Sequence, residues 1–173
     1  FNESGEKLWQ TTEKINVTER GAFALDASGT TLYATQKGGA GLLAVDMTNG
    51  EIKWTYANTG GGDAYLPIVG KDGTIYFNDK GGKKVYAILP DGSLKWDKNL
   101  GVALTYCGLV LDDQGTIYCA TQKANPEGEY TLYGLNSTTG AIEYTRDYPD
   151  QFMAAATVGP DKRLYVGTIG SGN

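Results

Sequence analysis

Ala44-Val45-Asp46-Met47-Thr48-Asn49-Gly50-Glu51-Ile52-Lys53-Trp54 reads as strand, tight turn, strand. Leu42, Leu43 and Val45 lead in, and Ile52 and Trp54 resume the alternation after the turn. Asn-Gly tolerates positive φ at a chain reversal, and apolar residues at period two fit half-buried antiparallel strands. The phrase recurs at Ala87-Ile88-Leu89-Pro90-Asp91-Gly92-Ser93-Leu94-Lys95-Trp96 and from Gly134 through Gly140 to Tyr144. The tail of a further copy, Phe1-Asn2-Glu3-Ser4-Gly5-Glu6-Lys7-Leu8-Trp9, opens the chain.

A second phrase alternates with the first. Asp26 to Tyr33, Lys71 to Tyr76, Asp112 to Tyr118 and Pro160 to Tyr165 are each a polar turn feeding a strand that ends Leu-Tyr or Ile-Tyr. These tyrosines are spaced 43, 42 and 47 residues apart, and the anchors Trp9, Trp54, Trp96 and Tyr144 are spaced 45, 42 and 48. Two independent markers keep nearly one period. Self-similarity at that period signals a propeller or solenoid, because one such unit cannot bury both faces alone. The innermost strand of each unit is rich in Gly, Ala and other apolar residues (21–25, 65–69, 106–110, 153–158), as convergence on an axis requires. With turns every 8–12 residues and no amphipathic helix, the expected fold is an all-β propeller of four-stranded antiparallel blades. About four blades' worth is expected: a partial blade at 1–11, repeats at about 20–56, 63–98 and 104–146, and a partial blade at 152–173. Open edges invite pairing, so either a larger parent propeller or self-association that completes the ring is expected, with a closed four-bladed ring as the alternative.

Composition narrows the chemistry. The 173 residues carry a net charge of −5 without a basic cluster, which argues against nucleic acid as partner. No apolar run approaches the ~20 residues of a membrane-spanning helix. No signal peptide is legible, and Phe1 is not an initiator methionine. Histidine is absent, which removes the commonest general base and transition-metal ligand. Cys107 and Cys119 lack zinc spacing; two buried free thiols are expected, with a disulfide as the alternative.

The spacing Ala44-x-Asp46-x-x-x-Gly50-x-x-x-Trp54, preceded by turn, Leu or Ile, and Tyr, resembles the tryptophan-docking repeat of the PQQ (pyrroloquinoline quinone) propeller superfamily. The resemblance covers nearly the whole chain. It implies that Trp9, Trp54 and Trp96 stack on turns of following blades, with Gly5, Gly50, Gly92 and Gly140 at those turns. Tyr144 stands where the repeat has Trp, so its junction is expected to be looser. The resemblance also implies an extracytoplasmic location, in the periplasm or at the cell surface. A quinone-dependent dehydrogenase of this superfamily would need a Ca²⁺ ligand set, an Asp base, a Trp floor and often adjacent cysteines. None is recognisable, so neither quinone, calcium nor another metal is expected, and no residue is assigned a catalytic role. A fragment of such a dehydrogenase is the alternative reading.

The acidic turns at Asp72, Asp91 and Asp112-Asp113 are read as turn chemistry, since the alternating oxygen ligands of a calcium loop are missing. Gly60-Gly61-Gly62-Asp63 precedes a strand rather than a helix and reads as a flexible connector between blades, not a phosphate loop. The echo Tyr33-Ala34-Thr35-Gln36-Lys37 and Tyr118-Cys119-Ala120-Thr121-Gln122-Lys123 places Gln36, Lys37, Gln122 and Lys123 on one propeller face. Asp63, Tyr65, Tyr106 and Phe152 stand where the innermost strands begin. Amides, an acid and aromatic rings suit a protein or carbohydrate partner. The expected function is therefore non-catalytic: a scaffold binding such a partner.

Overall fold

A computed structural model describes residues 1–11, 13, 15–17, 23–105, 108–122, 126–152 and 156–169. All of its regular structure is β. The first sheet consists of β1 (Phe23–Leu25), β2 (Thr31–Thr35), β3 (Leu42–Asp46) and β4 (Ile52–Tyr56). The second consists of β5 (Ala64–Val69), β6 (Ile75–Asp79), β7 (Lys84–Ile88) and β8 (Leu94–Asn99). The third consists of β9 (Val110–Leu111), β10 (Thr116–Ala120), β11 (Tyr130–Asn136) and β12 (Ile142–Tyr148). Beyond them, β13 (Gln151–Phe152) pairs with β16 (Thr168–Ile169), and β14 (Thr157–Val158) with β15 (Leu164–Tyr165). Each four-stranded sheet is an antiparallel meander in sequence order, the blade of a propeller.

The blades hold together face to face. Tyr33, Leu42 and Ala44 of the first sheet pack against Ile75, Phe77, Tyr86 and Ile88 of the second. Tyr76, Val85 and Ala87 of the second then meet Ile117, Cys119 and Leu135 of the third. Central strands are thus buried on both faces: every residue of β6 is buried, as are all but the last of β3. Outer strands alternate, as in β4, where Ile52, Trp54 and Tyr56 are half-buried and Lys53 and Thr55 exposed. In all three sheets the ladder of the last two strands shifts register just after the small residue facing the anchor, between Ala44 and Val45, Ala87 and Ile88, and Gly134 and Leu135.

Cys119 is a free, buried thiol, and burial pushes it up to about 12. Cys107 lies outside the described residues, so the disulfide question rests on Cys119 alone. The acidic turns use their carboxylates locally. Asp112 Oδ1 accepts the N–H groups of Gln114 and Thr116 at 2.9 and 2.8 Å, and Asp91 Oδ1 that of Ser93 at 2.9 Å.

Candidate functional site: the clasped loop face

The loops β2–β3, β4–β5, β6–β7 and β10–β11 emerge at one end of the sheets, as antiparallel meanders require. Those of the first two blades are knitted together by buried polar groups. Asp79, at the end of β6, is fully buried, and its carboxylate accepts the Asn58 side-chain amide at 2.5 Å and the Gly82 N–H. The Tyr86 hydroxyl donates to the same carboxylate at 3.3 Å and accepts the Gly60 N–H at 3.0 Å. Asn58 donates its side-chain amide to the Gly62 carbonyl at 3.0 Å and its backbone N–H to the Gly39 carbonyl at 3.1 Å. A buried carboxylate is costly unless hydrogen-bonded, and these donors supply what water would.

Glycine makes the clasp possible by omission. A Cβ on Gly62 would stand 2.5 Å from the Gly81 nitrogen and 2.7 Å from Asp79 Oδ1. One on Gly60 would run into the Asp79 carboxylate and the Gly82 backbone. The Gly60–Asp63 segment, expected to be a flexible connector, is therefore closely packed: its backbone lies against the β6–β7 loop over a buried acid. Sequence reading missed Asn58, Asp79 and Tyr86 as the centre of this face. The available signal was the recurrence of glycine runs in the loops at this end of the blades: pairs at 38–39 and 81–82 in matching loops, and a triplet at 60–62 in the connection between the blades.

Three of the expected face residues join this arrangement. Gln36 is bridged to Val17, its carbonyl accepts the Ala64 N–H at 3.2 Å, and its side-chain amide donates to the Ala40 carbonyl at 3.3 Å. Lys37 donates its backbone N–H to the Asn16 carbonyl at 2.9 Å. Asp63 Oδ1 accepts the Gly38 N–H at 2.9 Å, tying the first blade's loop to the second's. Gln122 stands on the matching loop of the third blade. Its N–H donates to the Ala103 carbonyl at 2.8 Å, and its carbonyl accepts the Gln151 side-chain amide at 2.9 Å. Tyr65 and Phe152 are buried and present no ring to solvent. Tyr106 and Lys123 lie outside the described residues.

The anchors sit as follows. Trp9 lies against Gly50, where a Cβ would stand 2.6 Å from its Cε3, and its indole N–H donates to the Met47 carbonyl at 2.7 Å. Trp54 does the same over Gly92, donating to the Pro90 carbonyl at 3.0 Å. Trp96 lies over Gly140 and donates to the Ser137 carbonyl at 3.0 Å. Each tryptophan thus reaches from one blade to the turn of the next. Gly5 has φ +78° in its own turn, and among the described residues no atom outside that turn lies within 4 Å of where its Cβ would stand. Tyr144 lies over Gly134 of its own sheet, its ring 6.2 Å from that of Tyr118. All three indoles are thus committed to junctions between blades.

Sheets of this kind, packed in an arc and joined by indoles on glycine turns, define a β-propeller with PQQ-like repeats. The chain belongs to the family of outer membrane protein assembly factor BamB, whose family model matches residues 1–106. Among solved structures it is similar to BamB from Moraxella catarrhalis, at 18% identity and a TM-score of 0.70, covering 93% of this chain and 46% of that one. It is similar also to a catalytically inactive virginiamycin B lyase from Staphylococcus aureus bound to quinupristin, at 17% identity and TM-score 0.68, covering 89% and 50%. The Pan2 WD40 domain of Neurospora crassa follows at 12% and 0.67, covering 85% and 43%. The chain spans about half the length of these structures. A comparison with curated proteins finds no match. At such identities the likeness shows the fold, and propellers that are enzymes and propellers that are not share it.

Proposed function

We propose that this protein is a non-catalytic propeller scaffold that holds a protein partner on the clasped loop face, outside the cytoplasm. The observation that carries the reading is the clasp itself. Loops of two blades are locked over Asp79, so the surface they form is organised before any partner arrives, which lowers the entropic cost of binding. Exposed Gly38, Gly61 and Gly81 offer backbone rather than side chains, and exposed Lys83 adds charge at the rim. A protein suits this surface better than a glycan, because the candidate rings Tyr65 and Phe152 are buried. Membership of an outer membrane assembly family supports both a protein partner and the location. Neither quinone nor metal has a part in this function.

A photo-crosslinking residue at exposed Ala40 or Lys83, introduced in cells, is expected to capture a discrete protein in the envelope fraction. The same residue at Lys71, in the turn at the opposite end of the second blade, is expected to capture none. Adducts from Lys71 alone, or none from either loop, would overturn the reading.

A further inference from the structure

We propose that Asn49 is a site of spontaneous modification, losing its side-chain amide through a cyclic imide, and that the docking of Trp9 on the next residue gates the reaction. The site lies in the β3–β4 turn, at the end of the blades opposite the clasped loops, and does not depend on the loop-face reading. Asn49-Gly50 is the one Asn-Gly pair in the sequence. Asn49 is exposed, whereas Gly50 is buried beneath the indole.

The chemistry needs only the Gly50 nitrogen, the Asn49 side chain and water. The nitrogen gives up its proton to hydroxide and attacks Asn49 Cγ. The Cγ–Nδ2 bond breaks, Nδ2 takes up a proton and leaves as ammonia, and a five-membered succinimide remains. Water then opens the ring at one of its two carbonyls. Cleavage at Cγ restores the ordinary backbone with an aspartate, and cleavage at the main-chain carbonyl routes the backbone through Cγ as isoaspartate. Water enters, ammonia leaves and no electron is exchanged. Glycine permits the attack because no Cβ crowds its nitrogen.

In the docked turn both reacting groups are engaged elsewhere. The Gly50 N–H donates to the Asp46 carbonyl at 2.8 Å, and Asn49 Oδ1 accepts the Glu51 N–H at 2.9 Å. Trp9 pins this arrangement. Its N–H donates to the Met47 carbonyl at 2.7 Å, and its ring leaves no room above Gly50 even for a Cβ. For the nitrogen to reach Cγ, the turn must come out from under the indole. The reactive state is therefore the undocked junction, a local opening rather than global unfolding. Isoaspartate adds an atom to the backbone of a turn fitted to one indole, so the modified junction does not redock. The turns beneath Trp54 and Trp96 differ: Asp91 and Thr139 precede their glycines, and neither carries an amide.

Mass spectrometry of the full chain aged at neutral pH tests this, through the tryptic peptide 38–53, in which Asn49 is the sole asparagine. The amide-to-acid mass gain is expected to be slow in the folded chain and at least about tenfold faster in guanidinium chloride. Trp9→Ala is expected to raise the folded-state rate about tenfold and to leave the denatured rate unchanged. Trp9→Phe, which keeps a ring but lacks the N–H, is expected to fall between, and reads the gate even where the alanine variant does not fold. Trp96→Ala, which opens a junction without an amide, is expected to leave Asn49 at the native rate. Equal rates in the folded and denatured chain, or equal acceleration by Trp9→Ala and Trp96→Ala, would overturn the gate. No mass gain in the denatured chain would overturn the site. The isoaspartate fraction is expected to unfold at lower urea than Asn49→Asp, which has the charge on an ordinary backbone; matching midpoints would overturn the failure to redock.

Discussion

Trp54 and Gly92 divide one junction between two kinds of interaction. The indole N–H donates to the Pro90 carbonyl, and the ring lies where a Cβ on Gly92 would stand 2.8 Å from Cδ2. Gly92 itself has φ +89°, a conformation costly for any residue with a side chain. Trp54→Phe keeps a ring in place and gives up one hydrogen bond, for a loss of about 1 kcal/mol. Gly92→Ala meets both the strained φ and the indole, and is expected to cost more, about 2–3 kcal/mol. Urea midpoints of the two variants check the order. Equal losses would mean that the turn relaxes freely and that the docking is not tight.

At the scale of the element, the turn before each Leu/Ile-Tyr strand is organised by its aspartate. Burial works to raise the Asp26 carboxyl. The N–H groups of Thr31 and Thr30 and the hydroxyls of Ser28 and Thr30 outweigh it and hold the group at about 2. Burial likewise opposes ionisation of Asp72, and the Lys95 ammonium with the Thr74 hydroxyl and N–H hold it at about 2. A carboxyl depressed on folding contributes stability in full above its unfolded value near 4, and loses it as pH falls through the folded value. The denaturant midpoint is therefore expected to drop between about pH 5 and pH 2, and to drop less in Asp26→Asn and Asp72→Asn. Unaltered slopes in both variants would show that these turns do not govern the acid limb. The same bonds explain why acidic turns recur in the repeat: the acids serve as acceptors for turn amides.

Taken whole, the molecule is an arc of blades whose aromatic residues serve the joints between them. That arrangement bears on the quinone question. Trp9, Trp54 and Trp96 are the only tryptophans in the sequence, and each is laid on a glycine turn with its N–H bonded. Adding pyrroloquinoline quinone with Ca²⁺ is therefore expected to leave tryptophan fluorescence unchanged beyond its inner-filter effect. Saturable quenching at micromolar quinone would restore the dehydrogenase-fragment reading.

Architecture was legible in the sequence because it is written in short-range terms. Period-two alternation, glycine at positive-φ turns and an anchor every 42 to 48 residues state the strands, the reversals and the blade repeat without reference to distant partners. The loop face was half legible. Gln36, Lys37 and Asp63 were placed on it by strand order, but Tyr65 alternates into the core, and alternation beside the bulge between Tyr65 and Ile68 is not readable from residue type. Only the tertiary structure decided that Asn58, Asp79 and Tyr86 meet, because they come from different loops and strands of two blades and share no spacing rule. It alone decided, too, that the glycine-rich segment is packed: the atoms that would exclude a Cβ at Gly60 and Gly62 belong to residues 79–82, which local pattern does not place beside them.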